Sequence, residues 1–242
     1  SYATLASQVV VAYGDDPYTR KMKLDKKVIY FGLEKNNDIQ AINVSYNKNG
    51  ISFDIEAYGH FDLPLFGKHQ LLDALAVITV AKIEGLPYEE VNQNLQCFHG
   101  AKRRFTEEVI GKNIIIDDYA HHPNEVQATI EAIKQKYPEK KLIAIFQPHT
   151  FTRTKEFAKD LAKVFKTTDE CYILPIHPAR EKQEDYPEVT SNLIINRLET
   201  AHPITLNDAE ILAKYDNAVF AFMSPNDISK LENDLKEKLN NK

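Results

Sequence analysis

The sequence predicts an α/β fold whose second half is a mostly parallel sheet covered by helices on both faces. Three observations carry this expectation. From about residue 100 onward, short apolar runs alternate with stretches of helical period. Runs such as "KLIAIF" (141–146) and "CYILP" (171–175) are continuously apolar, as strands buried on both faces are. The composition, 43% hydrophobic and 27% charged over 242 residues, is that of a globular chain long enough for one large core or two smaller ones.

The opening "SYATLASQ" (1–8) is helix-like, and a start inside a longer polypeptide is expected. "QVVVAY" (8–13) and "KVIYFG" (27–32) read as short buried strands around a polar turn at Asp15-Asp16-Pro17. "ISFDIEAYG" (51–59) alternates, which predicts a half-exposed antiparallel strand after the Asn49-Gly50 turn. Residues 69–84 are apolar around most of a helix, which places that helix in a core. Gly85 stops it, and a second short helix follows Pro87.

A domain boundary falls near Gly100. Beyond it, "NIIIDDY" (113–119) is a buried strand. Residues 123–137 form a helix with Pro123 near its first position and Val126, Ile130, Ile133 and Tyr137 on one face. After the strand at 141–146, residues 154–165 carry Phe157, Leu161, Val164 and Phe165 along one helical stripe. The strand at 171–175, a helix after "ITLND", a late strand at 217–223 and a charged helix complete a Rossmann-like second half.

A formal charge of −5 lacks the basic footprint of a duplex nucleic-acid binder. No apolar run nears the ~20 residues of a membrane helix, and no charged-then-apolar leader opens the chain, so membrane insertion is not expected. Cys97 and Cys171 stand alone, which fits a reducing cytoplasm, and each reads as a small buried hydrophobe. There is no GxxxxGK[ST] loop and no GxGxxG turn, so nucleotide chemistry would need a phosphate loop supplied from outside this stretch.

Ligands of parallel sheets bind beyond the carboxyl ends of the strands. Three polar clusters fall there: "DDYAHHP" (117–123), "QPHTFTR" (147–153) and "IHPARE" (176–181). Asp117, Asp118, His121 and His122 have the donor chemistry for a divalent metal. Adjacent residues on a tight turn point apart, however, and no second ligand set accompanies them, so no metal ligand is assigned. Two readings stand ahead of a metal: a helix cap with solvated carboxylates, or substrate contacts in which Asp118 accepts from hydroxyls and His121 donates to an anion. Arg153 fits either bidentate capture of a carboxylate or a surface ion pair. Lys102, Arg103 and Arg104 are either a solvated face or a hinge that grips a polyphosphate. Arg180 and Glu181 read as an internal ion pair.

"RRF" (103–105), "IIDDYAHHPNEV" (115–126), "FQPHTFTRT" (146–154) and "PAREK" with "VTS" (178–182, 189–191) occur in an order and spacing that resemble the Mur ligases, in particular the branch that joins L-alanine to UDP-N-acetylmuramate. "LPLFGKHQLLDALAVITVAKIEGL" (63–86) and "VFAFMSPNDI" (219–228) extend the likeness over essentially the whole chain. The resemblance implies an ATP-dependent carboxylate–amine ligase of peptidoglycan synthesis, working in the cytoplasm through an acyl phosphate. Residues 1–100 would then be the end of a central ATPase domain and residues 101–242 a C-terminal Rossmann-like domain. ATP and Mg2+ are the implied cofactors, with the phosphate loop and magnesium ligands upstream, the fragment inactive alone, and a homodimer possible.

Carried over residue by residue, the resemblance directs Asp118, Arg104, His69 and Asp73 to the nucleotide. It directs Tyr119, His121, His149 and Arg153 to the alanine and acyl-phosphate pocket, with Arg153 and His121 carrying the chemistry and His122 structural. Asp73 stands where the family has asparagine, Thr150 where many relatives have arginine, and Ser224-Pro225-Asn226 where a glycine turn is usual. Alternatives are a tripeptide-recycling Mur ligase, a metal-dependent hydrolase built on the DDYAHH cluster, and a binding module without turnover.

Overall fold

Apolar runs and turn residues build two compact units, Ser1–His99 and Gly100–Lys242. A computed structural model describes residues 2–6, 8–226 and 228–241, apart from the Tyr2 side chain. Ser1 and Ser7 of the expected opening helix lie outside the described residues, and Tyr2–Leu5 is a single 3-10 turn.

In the first unit, β1 (Val9–Tyr13), the short α1 (Pro17–Arg20), β2 (Lys27–Gly32), β3 (Ile39–Asn47), β4 (Gly50–Ile55) and β5 (Gly59–Leu63) precede α2 (Lys68–Ile83) and α3 (Tyr88–Gln96). The strands lie in the order β1-β2-β3-β4-β5, parallel through β3 and antiparallel thereafter. The α1 turn starts where Asp16 accepts the Tyr18 amide ahead of Pro17. Gly50 is required at the β3–β4 turn, because a Cβ there would lie 1.9 Å from the Leu63 carbonyl oxygen. The expected strand 51–59 is in fact β4 plus a turn into β5, and the stacked pair Phe53–Phe61 (5.4 Å) joins the two in the core.

The expectation that residues 69–84 are sunk in a core holds for one side of α2 only. Leu71, Leu75 and Ile78 are fully buried, whereas Val77 is 56% and Val80 49% exposed. Apolar character around a whole helix exceeds what a single sheet face covers.

The second unit contains β6 (Thr106–Ile110), β7 (Asn113–Asp118), α4 (Pro123–Lys136), β8 (Lys141–Phe146), α5 (Phe151–Phe165), β9 (Glu170–Ile173), α6 (Asn192–Ile195), β10 (Ala201–Pro203), α7 (Ala209–Ala213), β11 (Ala218–Met223) and α8 (Ser229–Asn240). Its sheet runs β10-β9-β8-β11-β7-β6, parallel except for the antiparallel edge strand β6. Side chains alternate between two apolar layers. Leu142, Ala144 and Phe146 face Ile130, Leu161 and Phe165, while Ile143 and Ile145 face the layer containing Leu212, Leu231 and Leu235. Complete burial of a phenylalanine such as Phe146 or Phe222 contributes about 1.5–3 kcal/mol. No helix among the described residues is long and apolar enough to cross a membrane.

Strand β11 lies between β7 and β8 and pairs with both. One expectation changes here. Helix α5 begins at Phe151, three residues before the expected start, so Arg153 stands on its first turn. The early start follows from Thr150, whose hydroxyl accepts the Arg153 amide as N-cap.

Candidate active-site rim of the second unit

The carboxyl ends of β7, β8, β9 and β11 present their loops on one edge of the sheet. Asp118, the last residue of β7, is buried. Its Oδ2 accepts the Phe105 amide and its Oδ1 the Ala120 amide, each at 2.8 Å. The carboxylate therefore ties the 103–105 loop to the strand end. That loop bends sharply, with Arg103 and Phe105 in the left-handed region at φ 58° and 56°.

Arg103 is the structural member of the basic run. Its guanidinium donates to the carbonyls of Ser224 (2.7 Å) and Asn226 (3.1 Å) and lies 3.3 Å from Asp117. Arg104, by contrast, is exposed and lies over the Tyr119 ring, with its guanidinium carbon 5.4 Å from the centroid.

Past Tyr119 the chain enters α4 through a capping box. His122 Nδ1 accepts the Asn124 amide, and Glu125 Oε2 accepts the amides of His121 (3.0 Å) and His122 (3.1 Å). Burial opposes ionisation of Glu125. The two amides and the charges of His121 and Arg104 outweigh it and hold the carboxyl below the usual range. The His122 ring packs edge-on against Phe157 at 4.8 Å.

His121 turns the other way. Its ring meets Tyr119 at 5.7 Å and His149 at 6.1 Å, and His149 in turn stacks on His177 at 5.8 Å with planes 9° apart. Backbone bonds seat this stack: the His177 amide donates to Pro148 O (2.9 Å) and the Thr150 amide to His177 O (2.8 Å). Nδ1 of His149 is enclosed and has no hydrogen-bond partner among the described residues. Burial, followed by the nearby His121, His177 and Arg153, holds the His149 imidazole below its ordinary range, against the opposing charge of Glu181. A neutral imidazole beside cations can accept a proton or donate to an anion.

Of the residues expected to act together, Tyr119, His121 and His149 form a continuous ring path, and Arg104 and Arg153 flank it. His69 and Asp73 belong to the first unit, one turn apart on α2, with Asp73 exposed. Residues of DDYAHH take separate partners: Asp117 with Arg103, Asp118 with Phe105 and Ala120, His121 toward His149, and His122 on Asn124 and Phe157. That divergence counts against the hydrolase alternative, and among the described residues no group of three or more His, Cys, Asp or Glu is arranged to hold a metal.

His177 was not among the expected site residues; its placement in a polar cluster at a strand end was the available signal. Among the described residues no Arg180–Glu181 ion pair is found. Glu181 instead reaches back to α5 and accepts the amides of Phe151 (2.6 Å) and Thr152 (3.0 Å).

Comparison with known proteins agrees with this architecture. The family described as "Mur ligase, glutamate ligase domain" matches residues 103–227, and "Mur ligase middle domain" matches residues 3–81. The UDP-N-acetylmuramate–L-alanine ligase of Lacticaseibacillus paracasei is 43% identical over 240 residues, 96% of this chain and 54% of that protein. The corresponding ligase of Lactococcus lactis subsp. cremoris is 39% identical over 236 residues, 96% of this chain and 53% of that protein. The chain thus spans about half the length of the curated relatives it matches. Among solved structures, the UDP-N-acetylmuramate–alanine ligase MurC of Thermotoga maritima shares the fold, with TM-score 0.78 at 22% identity over 97% of this chain and 52% of its own. The MurF ligase of the same organism, in complex with ADP, gives TM-score 0.76 at 19% identity over 99% of this chain and 56% of its own. With the first of these family matches spanning just over half of its residues and containing the whole rim from Arg103 to Glu181, the chain belongs to the Mur ligase family.

Proposed function

We propose that this chain is part of a cytoplasmic, ATP-dependent ligase that joins L-alanine to UDP-N-acetylmuramate in peptidoglycan synthesis. Residues 1–100 would be the end of its central ATPase domain and residues 101–242 its C-terminal domain. The observation that carries the reading is the rim itself, where Tyr119, His121 and His149 line up beside the exposed cations Arg104 and Arg153. A zwitterionic amino acid needs a cation for its carboxylate and a neutral base for its ammonium proton, and this rim offers both.

ATP supplies the phosphoryl group that activates the UDP-N-acetylmuramate carboxylate, and magnesium accompanies it with ligands outside the described residues. In this reading Arg153 holds the alanine carboxylate. His121 and Tyr119 orient the amino acid, and His149 hydrogen-bonds its polar end. Asp118 accepts from the nucleotide ribose, and Arg104 reaches the phosphates. His69 and Asp73 contribute to nucleotide binding from α2. The cationic rim stabilises charge that grows on the transferring phosphoryl and acyl oxygens.

The test is phosphate release by the full-length protein that contains this chain. Release should require UDP-N-acetylmuramate and L-alanine together. Arg153→Ala should raise the L-alanine KM about 10–100-fold, the value of a charge-assisted bidentate contact. Release without either substrate, or unchanged alanine kinetics, would remove the assignment.

A further inference from the structure

We propose that Glu181 is a positioning residue of the amino-acid pocket, fixing the first turn of α5 and with it the presentation of Arg153 and His149. The inference rests on the ligase reading above. Glu181 lies 30 residues beyond Phe151, yet its Oε2 accepts the amides of both Phe151 and Thr152. The next amide, that of Arg153, goes to the Thr150 hydroxyl. The first three amides of α5 are thus satisfied by side chains before any ligand arrives. A free helix N-terminus is an anion cradle; here Glu181 fills it, and an incoming carboxylate is left to the Arg153 guanidinium.

The turn needs such a hold. Thr150 adopts φ 63°, a left-handed conformation that a β-branched residue rarely takes. The backbone bonds of His177 to Pro148 and Thr150 clamp the residues before the helix, and Glu181 clamps its first turn. The 176–181 loop therefore grips both sides of the bend that carries His149. Burial opposes ionisation of Glu181, but hydrogen bonds from Thr152 and Phe151 outweigh it and keep the carboxylate charged.

Three substitutions in the full-length protein separate reach from charge. Glu181→Gln keeps an oxygen at the same reach and loses the charge. Glu181→Asp keeps the charge and is one methylene short. Glu181→Ala loses both. The expected result is an L-alanine KM within about twofold of the parent for Gln and raised about tenfold for Asp and Ala, with the ATP KM unmoved. Equal alanine KM values throughout would overturn the proposal, as would an order in which Asp matches the parent while Gln behaves as Ala. An unsubstituted protein without turnover would instead remove the ligase reading. Amide exchange then decides the capping role: Phe151 and Thr152 should exchange faster in the Asp and Ala variants alone, and uniform exchange would remove it.

Discussion

Asp118 holds Phe105 in place: the carboxylate at the end of β7 accepts the Phe105 amide at 2.8 Å, thirteen residues back along the chain. The same carboxylate accepts the Ala120 amide, so one buried side chain fixes the backbone on both sides of the rim. Asp118→Ala strands two amides beside a buried site. A loss of about 3 kcal/mol in urea-unfolding stability is expected, the value of hydrogen bonds to a charged acceptor together with the desolvation of their donors. Asp118→Asn should lose less, though not nothing, because its NH2 cannot accept.

Glu125 closes the capping box of α4, and the removal of such a cap costs about 1 kcal/mol at neutral pH. Its carboxyl is held below the usual range, so its contribution is present above the unfolded-state value and lost as pH falls through the folded-state value. The stability gap between the parent and Glu125→Ala should therefore close on acidification through that window. The side chain is 42% exposed, so the charge part of its pairing with His121 is screened and the capping bonds dominate.

His149 acts with the same sign. Its imidazole is held below the ordinary range, so between the folded-state value and the ordinary one the unfolded chain binds more protons. Stability should rise with pH across that window, and the slope should shrink in His149→Gln. An NMR titration should place His149 below His60, whose bond to Asp54 raises its value.

The cysteines differ. Cys171 is buried in the sheet, where burial pushes its thiol up, while Cys97 is exposed at the end of α3, contrary to the expectation that both are buried. A thiol reagent should modify one cysteine quickly in the native chain and the second only after denaturation.

The strands that were legible are those buried on both faces: β7, β8, β9 and β11 announce themselves as unbroken apolar runs. Strand β6, "TEEVI", carries two glutamates because it is an edge, and nothing but its pairing across the Gly111 turn (φ 58°) marks it. Strand β3 was hidden by a bulge at Asn43, which breaks its alternation. The polar clusters at strand ends pointed to the rim, since ligand sites of parallel sheets lie there. The assignment of partners within them was not legible. Arg103 and Arg104 are adjacent and chemically alike, yet one is consumed by carbonyls at 224 and 226 while the other stays exposed. Glu181 was misread for the same reason, because the helix end it caps is distant in sequence.

Strand β11 is made well after β7 and β8, yet it lies between them in the sheet, with β8 on one side and β7 on the other. While residues 113–165 are emerging from the ribosome, the two strands that carry the rim have a gap between them and no partner to bridge it. Their register, and hence the meeting of His121 with His149, waits for residues 218–223. Such late, long-range closure is slow and leaves apolar edges open. A nascent chain halted before residue 218 would thus be a client for chaperones rather than a half-built enzyme.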